Sequence, residues 1–190
     1  MANNWIELIQ KNLGFPPLRK IDPNIQEARE NTPRVAQEKL AQAAIPAVLT
    51  ALYRFTRSDE GCEAILSDQR NTDWPGVLFK AKEKLAIEKI ANYAGVSLVD
   101  AERAVENIAN EAIVTVKRSA GLHPTVESVK SLMNAQRHTI LVYLPAAMQM
   151  GDLLNEEALD DRTNKMEGPF SNLMHAIENR LSGSDLSKYP

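Results

Sequence analysis

The chain has 190 residues, a formal net charge of −3 and one cysteine. That length suits a single domain, and one cysteine excludes an internal disulfide. Neither half of the chain is basic, which argues against a nucleic-acid or anionic-membrane partner. The longest apolar run, Ile140–Met148, is shorter than the roughly 20 residues of a membrane-spanning helix. Since no signal-peptide pattern opens the chain, we expect a cytoplasmic protein.

The composition predicts an all-α fold. Ala, Leu, Glu, Lys and Gln dominate, Gly is scarce at 8 residues, and runs of β-branched residues are rare. We expect one compact multi-helix bundle with peripheral N- and C-terminal helices. Its predicted parts are an N-terminal helix and arm (1–32), a helical core (33–154), and an acidic segment with an amphipathic C-terminal helix and disordered tail (155–190).

The first part is predicted to hold a short helix that begins after Asn4 and ends at Gly14, a residue suited to the left-handed C-cap position. The following segment, 15–31, contains three prolines and is predicted to lie over the core as an arm. Trp5 and Phe15 are the expected anchors of this arm.

The stretch from Pro33 to Leu66 is predicted to organise the core. Apolar residues recur at steps of three and four up to Phe55, which indicates one buried helical stripe with Gln42 on the polar side. Pro46 lies inside this run and removes one hydrogen bond, so it predicts a buried kink or break near 43–45. Ser58 is then expected to cap a short helix that turns Cys62 inward.

Two further helices are predicted on either side of Gly95. Pro75 suits the start of the first helix, and Gly95 suits its left-handed end. Ser97 and Asp100 form a near capping box that opens the second helix, which is expected to end at Gly121.

The last core stretch begins at His123-Pro124-Thr125, which is predicted to start a helix. The sequence ILVYLPAAMQM (140–150) is similar to AAIPAVLTAL (43–52), and Pro145 is expected to kink its helix as Pro46 does. The pair is either a diverged internal repeat or a coincidence in an alanine-rich helical protein.

Two passages resemble a known family. They are IPAVLTALYRFTRSDEGCEAIL (45–66) and IANYAGVSLVDAERAVENIANEAI (90–113), the latter followed by LPAAMQMGDLL (144–154). Together they resemble the YidB-like family of bacterial all-helical proteins of uncharacterised function, over residues 33–154. The chain differs from that pattern in its N-terminal arm, its charged C-terminal extension and its Ala-Asn-Glu at 109–111. The resemblance implies an all-α bundle and supplies no catalytic residues.

The histidines do not predict a metal or catalytic site. His123, His138 and His175 lack the i, i+4 spacing of a helical zinc site. His123 is explained by the helix start before Pro124, and His175 by a solvated pair with Glu178. His138 follows Arg137 in a polar gap and has the strongest case of the three for a functional role.

An acidic cluster follows the core at Asp152, Glu156, Glu157, Asp160 and Asp161. Such carboxylates could bind a divalent cation. Metal-binding bundles gather their ligands from several helices, whereas these lie in one segment, so a solvated face is favoured. We therefore assign no catalytic, cofactor-binding or metal-binding residue, and expect no cofactor.

The sequence IANYAGVSLVDAERAV (90–105) also resembles the helix-turn-helix of DNA-binding repressors. Its groove-facing positions would include Asp100, Glu102 and Glu106, with Arg103 as the basic group. Acidic groups there would meet phosphate repulsion, so a structural corner between packed helices is the favoured interpretation.

These observations favour a non-enzymatic interaction or scaffold protein that binds a protein partner or forms a homo-oligomer. Two alternatives stay open. One is a helix-turn-helix DNA-binding protein, and the other is a binder of a small apolar ligand at the Pro46 and Pro145 bends.

Overall fold

Helices dominate the described part of the chain, as the composition predicted. The computed structural model describes residues 4–22, 24, 26–28, 35–67 and 72–155. These belong to the first of two units, Met1–Asp160, while the second unit, Asp161–Pro190, lies outside the described residues. The elements are α1 (Trp5–Leu13), β1 (Ile21–Asp22), β2 (Glu27–Ala28), α2 (Ala36–Phe55), α3 (Asp59–Leu66), α4 (Trp74–Phe79), α5 (Glu83–Ala94), α6 (Leu98–Ser119), α7 (Val126–Leu141) and α8 (Met150–Leu154), with 3₁₀ turns at Lys80–Lys82 and Ala146–Met148.

The described residues form an all-α bundle around α2. The helices α1, α4, α5, α6 and α7 all pack against α2, and every residue from Leu40 to Leu52 is buried. A helix that is apolar on all sides belongs in a core, so the single stripe predicted from the spacing underestimates the burial of α2. The strands β1 and β2 form one short antiparallel pair in which Ile21 faces Ala28.

The helix α2 continues through Pro46. The Thr50 hydroxyl donates a hydrogen bond to the Pro46 carbonyl oxygen at 2.7 Å. Of the predicted kink or break near 43–45, the break does not occur, because helices packed against α2 hold its backbone while one hydrogen bond is missing. A kink without a break stays a prediction.

Pro145 lies outside any helix, so the prediction of a kinked helix there was wrong. The preceding helix, α7, ends at Leu141, and Pro145 is extended (φ −62°, ψ 138°) before the 3₁₀ turn. A proline disfavours helical geometry in the residue before it, here Leu144, so the helix does not continue into Pro145. The stretches around Pro46 and Pro145 therefore have different conformations and are not a structural repeat.

The N-terminal helix α1 is packed more deeply than the predicted peripheral position. Trp5, Ile6 and Ile9 are fully buried within the core, and α1 contacts α2, α6 and α7. Phe15 is half-buried against the same core. Gly14 ends α1 in the left-handed conformation (φ 69°), as predicted.

The helix between Pro75 and Gly95 is interrupted, contrary to the sequence prediction of one continuous helix. Lys80 has φ 53° and ψ −134°, which ends α4 before the 3₁₀ turn leads into α5. The predicted helix ends at Ser58, Gly95, Ser97 and Thr125 are all confirmed.

None of the described helices combines the length and apolar character that crossing a bilayer requires. The acidic segment beyond Asn155, the amphipathic helix predicted at 168–181 and the predicted tail lie outside the described residues.

Candidate functional site

A cleft of about 670 Å³ opens where α4, α5 and α6 meet. Three stretches of chain form its walls: the turn into α4, the first turn of α5 and the exposed face of α6. The lining residues are Thr72, Asp73, Trp74, Pro75, Glu83, Glu102, Glu106 and Asn110. Ligands bind in concave surfaces where polar groups converge, so this cleft is a candidate binding site.

The beginning of α4 brings Asp73 and Glu83 to the same part of the cleft. Asp73 is the N-cap of α4, and its Oδ1 accepts a hydrogen bond from the Gly76 N–H at 3.2 Å. A Cβ at Gly76 would lie 2.3 Å from Asp73 Oδ2 and 3.5 Å from Glu83 Oε2. Because glycine has no Cβ, position 76 leaves room for the carboxylates of Asp73 and Glu83.

The exposed face of α6 supplies the remaining polar groups. Glu102, Glu106 and Asn110 recur every four residues, so they form a row along one side of the helix. Ser97 fixes the start of this helix, since its hydroxyl oxygen accepts a hydrogen bond from the Asp100 N–H at 3.1 Å. The buried side of α6 carries Ala101, Ala104, Val105, Ile108, Ala109, Ala112, Ile113 and Val116.

The cleft is negatively charged. Four carboxylates line it, and its lining residues include no lysine or arginine. Within the described residues, Glu102 and Glu106 form no ion pair or hydrogen bond. Burial raises the pKa of Glu83, and the charges of Asp73 and Glu102 raise this pKa further. Since these like charges repel one another, the cleft favours a positively charged occupant.

Trp74 forms part of the cleft wall although it is only 6% exposed. Its ring packs edge-to-face on Phe55, with centroids 6.5 Å apart and planes at 76°. The indole N–H is a donor without an acceptor among the described residues. In that part of the chain, Thr115 Oγ1 is the one fully buried side-chain polar atom that lacks a partner. The indole N–H must therefore reach solvent, and Trp74 meets solvent at the cleft.

An apolar surface continues the cleft along α6. Leu98 is 52% exposed and Val99 is 61% exposed. Both lie one helical turn before Glu102, because residues three or four apart share a face of a helix. The exposed face of α6 is therefore apolar at its N-terminal end and acidic further along.

The residues that sequence analysis weighed for metal or acid–base chemistry do not meet at this site. His123 and His138 are exposed and do not line the cleft, and His175 lies outside the described residues. Of the acidic cluster that begins at Asp152, the structure describes Asp152 alone. Within the described ranges, no three His, Cys, Asp or Glu side chains are placed to hold a metal ion.

Cys62 is a buried thiol, as the sequence predicted. Its Sγ donates a hydrogen bond to the Thr56 carbonyl oxygen at 3.1 Å. Burial is the main reason that the pKa of Cys62 is raised. A raised pKa keeps the sulfur in its unreactive thiol form.

Residues 90–105 form the end of α5, a turn at Gly95 and the beginning of α6. Asp100, Glu102, Arg103 and Glu106 are exposed on α6. Two of these carboxylates, Glu102 and Glu106, belong to the cleft. The surface that would face a DNA groove is therefore largely acidic.

Sequence reasoning identified the exposed carboxylates of α6 but not the cleft that they line. Asp73 and Trp74 reach the cleft through the packing of α4 against α6, which no local pattern shows. The signal present in the sequence was the recurrence of polar residues at 102, 106 and 110, opposite a buried face.

No family model, curated protein or solved structure matches this chain. The resemblance to the YidB-like family thus stays a prediction that rests on residues 33–154.

Proposed function

We propose that the protein is a non-enzymatic interaction protein, and that its cleft receives a positively charged segment of a partner protein. The observation that carries this proposal is the set of four carboxylates lining one concave surface that includes no lysine or arginine. A cationic side chain that enters would reduce the repulsion among Asp73, Glu83 and Glu102, because an opposite charge stabilises the ionised carboxylate.

The cleft supports a cationic partner better than the alternatives drawn from the sequence. Phosphate groups of DNA would be repelled by the carboxylates of α6. The apolar-ligand hypothesis placed its site at Pro46 and Pro145, and neither residue lines the cleft. Lysine and arginine side chains, by contrast, form charge-assisted hydrogen bonds with carboxylates.

A titration with oligolysine tests the proposal. Backbone amide signals of ¹⁵N-labelled protein are followed at low salt, where exposed charges are least screened. We expect the largest shifts at Glu83, Glu102, Glu106 and their neighbours. The double variant Glu102→Gln/Glu106→Gln removes two cleft charges and should weaken binding by about tenfold or more, which corresponds to about 1.4 kcal/mol.

A matched control removes two exposed charges elsewhere. Glu60 and Glu63 lie on α3 and do not line the cleft. Glu60→Gln/Glu63→Gln changes the net charge by the same amount and should leave oligolysine binding unchanged. Equal weakening in both double variants, or shifts spread over all acidic residues, would show that only overall charge matters and would overturn the proposal.

We also propose a cytoplasmic location. The single cysteine is a buried thiol without a disulfide partner in the sequence, which is consistent with a reducing compartment.

A further inference from the structure

We infer that the cleft binds an extended peptide segment of its partner, with cationic side chains at one end and apolar side chains at the other. This inference rests on the proposed function and names the partner's chemistry more closely. Three features of the described residues carry it: the unpartnered indole N–H of Trp74, the exposed apolar end of α6, and the length of the surface that joins the two.

The indole N–H of Trp74 has no protein acceptor among the described residues, so an occupant of the cleft that carries an acceptor can replace the water that this N–H meets. A lysine or arginine side chain has hydrogen-bond donors but no acceptor, so a cationic group by itself cannot accept from the indole N–H. A peptide offers backbone carbonyl oxygens beside its cationic side chains. In an α-helix those carbonyls are already bonded within the helix, whereas an extended segment leaves them available. Trp74 therefore favours an extended peptide.

The exposed apolar residues at the N-terminal end of α6 indicate that the partner segment also carries apolar side chains. Leu98 and Val99 are each more than half exposed, and they lie one turn from Glu102. Covering them with an apolar side chain would add hydrophobic stabilisation, because it removes apolar surface from water. A segment that carries only positive charges would leave this end uncovered.

The length of the α6 surface between Leu98 and Asn110 determines how many residues of the partner peptide it can hold. From Leu98 to Asn110 the helix α6 rises about 1.5 Å per residue, which gives about 18 Å. An extended chain rises about 3.3 Å per residue, so about six residues span this distance. The occupant is thus a short segment with its apolar residues over Leu98 and Val99 and its cationic residues between Glu102 and Asn110.

Two capped peptides of equal composition test the inference. A block peptide carries two leucines at one end and two lysines at the other, separated by glycine, and it is made in both chain directions. A mixed peptide alternates leucine and lysine. Acetylated and amidated ends remove the terminal charges. We expect the block peptide, in one direction, to bind about tenfold more tightly than the mixed peptide.

Trp74 provides the readout. The chain has two tryptophans, so Trp5→Phe leaves Trp74 as the single indole, and its emission should shift to shorter wavelength when peptide covers the cleft. Fluorescence anisotropy of labelled peptide gives the affinities for the wild type and for Trp74→Phe, which keeps an aromatic ring but removes the N–H. We expect Trp74→Phe to weaken binding of the block peptide about fivefold, the usual effect of one hydrogen bond.

The variant Leu98→Ser/Val99→Ser separates this inference from the proposed function. Both side chains are exposed, so the fold should tolerate the change, and thermal melts verify this. We expect the variant to bind both peptides equally while its affinity for oligolysine is unchanged. Equal binding of block and mixed peptides by the wild type, with oligolysine binding intact, would overturn the inference alone. Loss of oligolysine binding in the wild type would overturn both.

Discussion

At the scale of single residues, two buried threonines differ in one hydrogen bond. Thr50 Oγ1, in α2, donates to the Pro46 carbonyl oxygen at 2.7 Å. Thr115, in α6, is 0% exposed, and its Oγ1 has no partner in the described residues. A buried hydroxyl without a partner costs about 1–3 kcal/mol, whereas a satisfied hydroxyl contributes about 1 kcal/mol. The same substitution should therefore have opposite effects at the two positions.

We expect Thr115→Val to raise the free energy of unfolding by about 1 kcal/mol, because valine has nearly the same shape and no polar atom to desolvate. Thr50→Val is the matched control. It should lower the free energy of unfolding by about 1 kcal/mol, because it removes the hydrogen bond to the Pro46 carbonyl oxygen. Urea melts of both variants measure the two changes. A loss of stability in Thr115→Val equal to that in Thr50→Val would mean that the Thr115 hydroxyl is satisfied.

Gln42 shows why single polar residues were hard to place from the sequence. Its position on α2 predicted exposure, yet it is 1% exposed. Its Oε1 accepts from the Arg19 N–H at 2.9 Å, and its Nε2 donates to the carbonyl oxygens of Arg19 (3.0 Å) and Tyr143 (2.7 Å). These three bonds hold the N-terminal arm and the segment after α7 against α2. Helical spacing alone carries no information on partners so distant in the chain.

At the scale of helices, the ends were predicted well because their causes are local. Ser58, Ser97 and Thr125 each accept a hydrogen bond from a backbone N–H three residues later. Such capping depends on residue type and short spacing, both of which the sequence displays. The division between α4 and α5 was missed because it requires a positive φ at Lys80 (φ 53°, ψ −134°). Non-glycine residues adopt that conformation rarely, so no residue preference indicated it.

Gly95, the C-cap of α5, offers a test of a helix end. It has φ 69°, and a Cβ there would meet no heavy atom within 4 Å. An added Cβ therefore causes no steric clash, and its cost comes from the backbone conformation. We expect Gly95→Val to lower the free energy of unfolding by at least about 1 kcal/mol, because a β-branched residue resists positive φ. Gly95→Asn, which tolerates the left-handed region better, should cost less. Denaturant melts with equal stability for all three proteins would contradict this account of the cap.

At the scale of the whole molecule, the fold class followed from the sequence and the cleft did not. Helix-forming residues and apolar spacing are properties of the chain that any packing of these helices would share. The cleft depends on which helices become neighbours. Asp73, Glu83 and Glu102 lie on three different elements, and only the packing of α4 and α5 against α6 brings their charges together.

The charge of this surface also decides between a protein partner and DNA. The sequence of residues 90–105 resembles a helix-turn-helix, but such a resemblance alone does not establish function. The exposed face of α6 offers Arg103 against Asp100, Glu102 and Glu106. Non-specific DNA binding requires cationic groups that neutralise phosphates, and it is strongest at low salt. We therefore expect no detectable binding to random duplex DNA at about 50 mM salt, and no effect of Arg103→Ala.

Fluorescence anisotropy with labelled duplex across a salt series measures this directly. The charge-reversed variant Glu102→Lys/Glu106→Lys serves as the positive control, because it turns two repulsive groups of α6 into phosphate-binding ones. This variant should gain weak binding that falls as salt rises, and it should lose its affinity for oligolysine. Micromolar binding of DNA by the wild-type chain that disappears in Arg103→Ala would make DNA the partner. The cleft carboxylates would then need another explanation, since negative charge beside a DNA-binding helix opposes the counterion release that drives such binding.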